Sequence, residues 1–186
     1  MSITTKGGDT GETGLLYGGR VAKDDAHTEA YGALDEAISA LGLARALEAD
    51  AQRAERLLAL QRELFVVGAE LATGRGFRPD LERHFAVVTP AMVDALHAEI
   101  TALEAAVPLP AGFVVPGGTP VGAALDMART LVRRAERRAV SLQRGGDLEN
   151  PEVLRYLNRC SDLLFMLARQ AEHGDTTPTG GHRRPS

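Results

Sequence analysis

The residues best suited to chemistry lie in the first two dozen positions, in a segment rich in glycine, threonine and lysine. It reads Thr-Thr-Lys-Gly-Gly-Asp-Thr-Gly-Glu-Thr-Gly over residues 4–14 and continues to Lys-Asp-Asp at residues 23–25. Glycine exposes backbone N–H groups at little steric cost, and successive N–H groups form a concavity that binds anions. Lys6 and Lys23 are the only lysines among 21 Lys and Arg residues. The segment therefore predicts a phosphate-binding loop, with a flexible glycine-rich N-terminus as the alternative.

A second set of cations lies at residues 128–138, which read Ala-Arg-Thr-Leu-Val-Arg-Arg-Ala-Glu-Arg-Arg. On a helix, three arginines form a slowly drifting row with one glutamate within it: Arg129, Arg133, Arg137 and Glu136. Like charges four residues apart repel, so the row requires anions nearby. A polyphosphate would supply them, and so would a carboxylate of another helix, such as Asp35 or Glu36. Because the row borders an apolar helix face, we expect limited solvent access; a fully solvated charged face is the alternative.

For two further side chains, Asn158 and Phe113, the sequence raises the question of what they contact. Asn158 lies near the apolar face of the last predicted helix, where its amide must find an inter-helix hydrogen bond or a ligand. Phe113 begins the run Phe-Val-Val-Pro-Gly-Gly. The simplest interpretation is that Phe113 plugs one end of the helical fold.

Several catalytic patterns are missing from the sequence. No histidine has a glutamate three residues before it, so the Glu-x-x-His pairs of di-iron bundles do not occur. The sequence also lacks a Walker A motif, a nucleophile elbow and an HExxH helix. The single cysteine, Cys160, excludes an intrachain disulfide and a cysteine-rich zinc site, and a reducing compartment is expected.

Composition limits the class of protein further. The 186 residues suit one domain, and 44% hydrophobic with 25% charged residues is typical of a globular protein. A net charge of −4 argues against general nucleic-acid binding. The sequence has neither an apolar stretch long enough for a membrane span nor a signal-peptide pattern, so a cytoplasmic location is expected.

Hydrophobic spacing after residue 25 predicts five helices that would position these residues. The first three run from about Thr28 to Glu48, from about Ala51 to Ala72, and from Pro90, after an N-cap at Thr89, to about Val107. The fourth has an apolar face of Leu125, Ala128, Val132, Ala135, Ala139 and Leu142. In the fifth, Asn150 is the expected cap, Pro151 lies in the first turn, and Leu154, Leu157, Ser161, Leu164, Ala168 and Ala171 face the core.

These elements predict an all-α fold, an antiparallel five-helix bundle with an N-terminal Gly-rich nucleotide-binding segment. Residues 1–174 would form one domain, with the loop segment at 1–25 and a disordered tail at 175–186. The sequence Gly-Arg-Gly-Phe-Arg-Pro at residues 74–79 is expected to be a loop.

Taken together, the motifs resemble the PduO-type ATP:cob(I)alamin adenosyltransferases from Ile3 to about Arg169. Four signatures carry the resemblance in order: the N-terminal segment through residue 25, Glu-Ala-Tyr-Gly-Ala-Leu-Asp-Glu at 29–36, Phe-Val-Val-Pro-Gly-Gly at 113–118, and the arginine-rich stretch at 128–138. Tyr-Leu-Asn-Arg-Cys-Ser-Asp at 156–162 completes the set. Each motif alone is weak, whereas the full series in this order is specific.

The resemblance implies a homotrimer with active sites between subunits. The implied reaction is attack of the Co(I) of cob(I)alamin on the 5′ carbon of ATP, with Mg²⁺ bridging phosphate oxygens and triphosphate leaving. No protein base or nucleophile is required, and the residues suggest none. The implied partners are a flavin-type reductase and an adenosylcobalamin-dependent enzyme.

The resemblance also assigns individual residues. Nucleotide contacts fall on Thr5, Lys6, Gly7, Gly8, Thr13, Gly14, Lys23, Arg133, Arg134, Glu136, Arg137 and Asn158. Asp35 and Arg129 match a pair that forms a salt bridge across the subunit interface. Phe113 matches the aromatic that displaces the axial base from the lower face of the corrin, and Phe165 matches another wall of that pocket.

Four positions depart from the usual family pattern: Thr4, Gly7, Thr10 and Gly14. Because they remove side-chain contacts from the loop, we expect weaker nucleotide binding, with the backbone contacts retained. A bundle that binds ATP and cobalamin without turnover, as a carrier or sensor, is the alternative function. A purely structural helical module is a second alternative, although it has no use for the N-terminal segment.

Overall fold

The computed structural model describes residues 4, 6–109, 112–172 and 177–178. Within these residues the fold is mostly helical. The helices are α1 (Ala26–Leu47), α2 (Ala51–Leu71), α3 (Arg78–His84), α4 (Pro90–Ala106), α5 (Pro120–Gly145) and α6 (Glu152–Ala171). The short strands are β1 (Glu12–Gly14), β2 (Arg20–Ala22), β3 (Val114–Val115) and β4 (Thr177–Pro178).

Five of these helices correspond to the five predicted from hydrophobic spacing. The apolar face predicted for α5 is confirmed, since its six residues from Leu125 to Leu142 are all buried. Helix α1 begins two residues earlier than predicted, because the Asp25 side chain accepts a hydrogen bond from His27 N at 2.8 Å and caps the helix. Helix α6 begins at Glu152, yet Asn150 Oδ1 still accepts from Glu152 N at 3.1 Å, as a capping side chain does.

Helix α3 corrects one sequence-based prediction. It begins at Arg78, inside the stretch 74–79 that was expected to be a loop. Pro79 lies in its first turn, where the missing N–H group costs no hydrogen bond, and Asp80 is acidic in that turn. With only seven residues, α3 has too short an apolar repeat for hydrophobic spacing to reveal it.

Helix α5 lies at the centre of the packing, against α1 and α6, while α2 packs on α1 and α4 packs on α6. The α1–α5 contact is antiparallel, because Arg138 pairs with Glu29 and Arg134 pairs with Glu36. Both helices bury several alanines: Ala30, Ala33, Ala37 and Ala44 on α1, and Ala128, Ala135 and Ala139 on α5. Such small side chains let two helix axes approach closely.

The N-terminal segment forms an antiparallel hairpin instead of an irregular loop, with Thr13 opposite Val21. The hairpin is fixed to the C-terminal end of α2, since Leu16 N donates to Ala72 O at 2.9 Å and Gly74 N donates to Tyr17 O at 2.8 Å. Gly18 allows this approach, because a Cβ there would lie 2.9 Å from Gly74 Cα. The hairpin therefore has a fixed place beside the helices.

A second pair of strands joins two distant parts of the chain. Val114 lies opposite Pro178 and Val115 opposite Thr177, in antiparallel register. Apart from residues 177–178, the predicted disordered tail at 175–186 lies outside the described residues. No helix within the described ranges combines the length and apolar character that spanning a bilayer requires.

Candidate functional site

The two lysines singled out in the sequence both lie in the N-terminal hairpin segment. Lys6 is exposed, and its φ of 56° is in the left-handed region. Lys23 extends across the segment to Gly8, where a Cβ would lie 2.9 Å from Lys23 Nζ. Glycine at position 8 therefore makes room for the ammonium group. Thr5, a predicted nucleotide contact, lies outside the described residues.

The other predicted nucleotide-binding residues of the segment occupy the hairpin itself. Thr13 is half-buried in the middle of β1, and Gly14 at its end has open space around its Cα. The carbonyl of Gly7 accepts a hydrogen bond from Arg20 Nη2 at 2.8 Å. Arg20 of β2, which sequence reasoning missed, also contacts Glu12 at 3.3 Å. It therefore links β2 to β1 and to the residues that precede β1.

The end of the hairpin leads directly into α1. Lys23 N donates to Gly11 O at 2.8 Å, and Asp25 then caps the helix. One turn into α1, Glu29 Oε2 lies 3.2 Å from Arg138 Nη2. The Gly-rich segment therefore adjoins the part of α1 that pairs with the arginine-rich half of α5.

Four arginines of α5 form one exposed surface, here called the arginine face: Arg133, Arg134, Arg137 and Arg138. Three of them and Ser141 line a concavity of about 330 Å³. The expectation of limited solvent access to the arginine row is wrong for Arg133 and Arg137, which are exposed. Val132, Ala135 and Ala139 occupy the buried side of α5, and long arginine side chains extend from its outer side into solvent.

Carboxylates of α1 neutralise only part of the arginine face. Arg134 Nη1 lies 3.0 Å from Glu36 Oε2, so Glu36 pairs with an arginine beside the predicted row and not with Arg129, Arg133 or Arg137. Within the described part of the chain, no ion pair involves Arg133 or Arg137. The face therefore keeps an excess of positive charge beside a concavity, as an anion-binding site requires.

Asn158 connects α6 to the arginine-rich stretch. Its Nδ2 donates to Glu136 Oε1 at 3.2 Å, and both residues are half-buried. The expected inter-helix hydrogen bond of Asn158 is thus confirmed. It fixes Glu136 close to the arginine face, although sequence spacing alone could not name this partner.

Asp35 lies in a different surface feature, a groove of about 540 Å³ between α1 and α5. The groove is largely apolar and includes Leu43 and Met127, which are 51% and 55% exposed. Arg129 does not pair with Asp35 within the chain, because its Nε contacts Asp126 Oδ1 at 2.8 Å. No ion pair of Asp35 occurs among the residues that the structure describes.

Phe113 is 86% exposed, so the interpretation that it plugs the end of the fold is wrong. It precedes β3, on a largely exposed segment that continues to Gly118. Phe165 is half-buried in a separate concavity of about 320 Å³ between α4 and α6. This concavity is lined by His97, Ile100, Glu104, Leu109, Arg159, Asp162, Phe165 and Met166.

A group of charged residues that sequence reasoning missed is buried, and one of its members lies against the Phe165 ring. We call Asp126, Arg169 and Glu172 the buried charge cluster, since each is at most 3% exposed. Arg169 Nη2 lies 2.5 Å from Asp126 Oδ2, and Arg169 Nε lies 3.1 Å from Glu172 Oε2. One signal in the sequence could have indicated their burial: Asp126 and Arg169 directly follow Leu125 and Ala168, which lie on the predicted apolar faces of their helices.

Other buried ionisable groups lie outside these surfaces. Burial raises the pKa of Glu70, while hydrogen bonds from Val88 N at 2.7 Å and Asn150 Nδ2 at 2.9 Å favour its charged form. Burial also raises the pKa of Cys160 to about 12. Its thiol is therefore protonated at neutral pH and is not a nucleophile. Among the described residues, no cluster of three or more His, Cys, Asp or Glu side chains is arranged to hold a metal ion.

These features define a class of protein: a helical fold with a cationic concavity beside a Gly-rich hairpin, and with aromatic residues at a separate surface. An anion and an apolar ring system are the ligands that such surfaces suit. Comparison with known proteins identifies the family. The chain belongs to the cobalamin adenosyltransferase family, whose model matches residues 3–171.

Individual relatives agree with this assignment. The corrinoid adenosyltransferase of Bacillus subtilis (strain 168) is 41% identical over 173 residues, which cover 91% of this chain and 86% of that protein. The corrinoid adenosyltransferase of Mycobacterium tuberculosis (strain ATCC 25618 / H37Rv) is 42% identical over 190 residues, covering 99% and 96%.

A solved structure is similar over nearly the whole length. It is a variant of the PduO-type ATP:corrinoid adenosyltransferase from Lactobacillus reuteri, complexed with cobalamin and ATP. The TM-score is 0.85 at 33% identity, and the match covers 97% of this chain and 100% of that one. The helical fold described above is therefore the fold of an enzyme that has been seen with both molecules bound.

Proposed function

We propose that this chain transfers the 5′-deoxyadenosyl group of ATP to the cobalt of cob(I)alamin, releasing triphosphate and forming adenosylcobalamin. The observation that carries the proposal is the match, at TM-score 0.85 and over 97% of the chain, to a PduO-type enzyme complexed with cobalamin and ATP. We further propose that the five long helices form an antiparallel bundle on which the Gly-rich hairpin acts as the nucleotide-binding segment.

The ATP site is proposed to lie between the hairpin and the arginine face. Lys6 and Lys23 supply ammonium groups, while Thr5, Gly7, Gly8, Thr13 and Gly14 supply hydroxyl and backbone contacts. Arg133 and Arg137, which have no carboxylate partner in the described chain, contact the triphosphate. Arg134, Glu136 and Asn158 complete the nucleotide contacts.

The chemistry follows from charge and orientation. A cobalt–carbon bond forms at C5′ as the C5′–oxygen bond breaks, and the triphosphate leaves with the electron pair. The leaving group gains negative charge, which the arginine face and Lys6 neutralise. ATP brings Mg²⁺ on its phosphates, where the ion adds to this neutralisation, as Mg²⁺ commonly binds through substrate phosphates. The protein holds C5′ in line with cobalt and needs no nucleophile of its own.

The corrin is proposed to contact Phe113 and Phe165. Phe113 is exposed and so is available to cover an apolar ring face, from which it would displace the axial base. Phe165 lines the concavity between α4 and α6, which would form a wall of the same pocket. Removal of the axial ligand makes reduction of Co(II) to Co(I) easier.

A homotrimer is proposed to complete the sites, with the groove of Asp35 at the subunit interface. The groove exposes Leu43 and Met127, and Asp35 has no cation partner in the described chain. In the trimer, Asp35 would pair with Arg129 of a neighbouring subunit, which is one-quarter exposed in the single chain. Asp35→Asn should therefore lower activity more than it lowers the stability of the helices. Sedimentation should give the mass of a trimer for the wild type, and a fully active monomer would contradict the shared site.

A cytoplasmic location and two partners complete the proposal. One partner is a flavin-type reductase that supplies Co(I), and the other is an enzyme that uses adenosylcobalamin. The reaction supports the first partner, because Co(II) must receive an electron to become Co(I), and the second would use the adenosylcobalamin that is formed.

The test of the proposed function is product formation from cob(I)alamin and MgATP, followed by the absorbance of adenosylcobalamin. Arg133→Ala should lower turnover strongly, since each charge-assisted hydrogen bond contributes about 1.5–3 kcal/mol. Arg133→Lys should restore part of it, because lysine lacks the two-pronged guanidinium.

Arg62→Ala is the matched control, as Arg62 is an exposed arginine on α2 whose side chain is 70% exposed. Near-normal turnover of Arg133→Ala would overturn the assignment of the arginine face to triphosphate. Binding of both molecules without product from the wild type would instead identify a carrier or sensor.

A further inference from the structure

The buried charge cluster contacts the Phe165 ring and the far end of the segment that carries Phe113. Arg169 Cζ lies 5.0 Å from the centroid of the Phe165 ring, within cation–π distance. On its other side, Arg169 holds Glu172, whose Oε1 accepts a hydrogen bond from Gly118 N at 3.1 Å. Gly118 ends the segment that begins with Phe113. One buried arginine therefore supports Phe165 directly and the Phe113 segment through a single carboxylate.

Burial of the Glu172 carboxylate at the end of α6 would be unfavourable in free energy without these contacts. It follows the last residue of α6, where the helix dipole disfavours a negative charge, and it is 3% exposed. Two glycines make room for its side chain. A Cβ at Gly118 would lie 3.0 Å from Glu172 Cδ, and a Cβ at Gly122 would lie 2.9 Å from its Cγ. The sequence around α5 is thus shaped to admit this carboxylate.

The same contacts continue towards the proposed subunit interface. Asp126 accepts from Arg169 with Oδ2 at 2.5 Å and from Arg129 with Oδ1 at 2.8 Å. An unbroken series of ion pairs and hydrogen bonds therefore runs from Arg129, through Asp126, Arg169 and Glu172, to Gly118. Buried polar networks of this kind fix one geometry, because any unpaired member carries a large desolvation cost.

We infer that Arg169 and Glu172 are positioning residues for the corrin side of the site, holding the Phe165 ring and the Phe113 segment in a fixed relation to Arg129. The pairing of β3 with β4 supports the same segment at Val114–Val115, and Glu172 supports its far end at Gly118. The inference rests on the proposed function, because the roles of Phe113 and Phe165 belong to it. Arg169 and Glu172 themselves need not touch either substrate.

The test replaces Glu172 by alanine and by glutamine. Glu172 accepts a hydrogen bond from Gly118 N with Oε1 and forms an ion pair with Arg169 through Oε2, whereas glutamine has one acceptor oxygen and no charge, so it can keep only the first of these contacts. Turnover at saturating ATP should fall by about ten- to a hundredfold in Glu172→Ala, as misplacement of reacting groups does, and less in Glu172→Gln. ATP affinity should stay within about twofold, because no arginine of the arginine face forms an ion pair with Glu172 in the described chain.

Two readouts separate positioning from a general loss of structure. The Gly118 amide should exchange hydrogen faster in Glu172→Ala, while the amides of α1 and α5 keep their protection. In the presence of MgATP, bound cob(II)alamin should lose the spectrum of the form without an axial base, as it should in Phe113→Ala. Arg155→Ala is the matched control on α6, since it removes an exposed ion pair with Glu152.

A second variant covers the case in which Glu172→Ala does not fold. Gly122→Ala retains every charge and adds a methyl group against Glu172, so it should displace the carboxylate and lower turnover in the same way. Product from the wild type with unchanged turnover and spectra in the folded variants would overturn the inference and leave the proposed function intact. Absence of product from the wild type would overturn the proposed function, and this inference with it.

Discussion

Cations lie in two contrasting settings on and beside α5: the exposed arginine face of α5, and the buried charge cluster, in which Arg169 of α6 pairs with Asp126 of α5. On the arginine face, Arg134 and Arg138 have partners that are nearly half exposed, and Arg133 and Arg137 have none in the described chain. In the cluster, Arg169 and Asp126 are 1% and 3% exposed, and Arg169 Nη2 lies 2.5 Å from Asp126 Oδ2.

The difference in burial assigns the two regions different tasks: the exposed arginines can bind a ligand, and the buried cluster can hold other residues in place. A buried cation must be neutralised within the protein, because leaving it unpaired costs several kcal/mol of desolvation. An exposed cation can remain unpaired until a ligand arrives, because water solvates it in the meantime. The exposed face is therefore free to bind an anion, whereas the cluster is fully committed to internal contacts. Three measurements of stability test this difference between the two regions.

The largest effect is expected for Asp126→Asn. The substitution keeps the shape of the side chain but leaves Arg129 and Arg169 without a shared carboxylate. Loss of one partner of a buried ion pair lowers the free energy of unfolding by about 3–5 kcal/mol. Because Arg169 keeps its ion pair with Glu172, we expect a loss at the lower end of this range, about 3 kcal/mol. Urea unfolding at neutral pH measures it. A loss below that of an exposed pair would contradict the assignment of a structural ion pair.

Glu70→Gln should give an intermediate, pH-dependent effect. Glu70 is a buried carboxylate held by neutral donors, Val88 N and Asn150 Nδ2, and burial raises its pKa. The folded state therefore holds the proton more tightly than the unfolded state. This stabilisation is complete below the ordinary pKa of glutamate, near 4.3, and is lost as pH rises through the raised value.

Glutamine can accept from both donors and carries no titrating proton at this position. The wild type should thus lose stability relative to Glu70→Gln as pH rises through that window. Paired urea titrations between about pH 4 and pH 8 test this. A difference that stays constant across the range would show that Glu70 does not titrate differently on folding.

The smallest effect is expected for Arg138→Ala. Its pair with Glu29 has side chains that are 48% and 45% exposed, and such pairs contribute about 0.2–1 kcal/mol. Added salt should reduce even this contribution, because it screens exposed charges. Unfolding at low and high salt, with Asp126→Asn measured in parallel, gives the contrast. A loss as large as that of Asp126→Asn would abolish the distinction between the two regions.

Much of the helical architecture could be predicted because its signals are local. The apolar faces of α1, α2 and α5 follow from spacings of three and four residues, and the corresponding residues are buried. The hairpin strands escaped prediction, since each has only three residues and β1 ends in glycine. Their position depends on hydrogen bonds to Ala72 and Gly74, which lie far away in the chain.

In the candidate site, too, some features could be predicted from the sequence and others could not. Arg133 and Arg137 could be named from their spacing and from the family motif, and Lys6 and Lys23 from their isolation among arginines. The sequence alone could not show that Phe113 is exposed or that Arg129 already has a carboxylate partner in its own chain. Exposure and pairing depend on which helices meet, and spacing along one helix does not contain that information.

The sequence by itself determined the helical class, the family and the residue types that an ATP and corrin site requires. Those properties reside in periodicity and in motifs of adjacent residues. Only the tertiary structure decided that Asp126 and Arg169, 43 positions apart, meet in the core, and that Glu172 connects them to Gly118. A buried charge is tolerated only where folding brings an opposite charge to it, so its location is a property of the assembled fold.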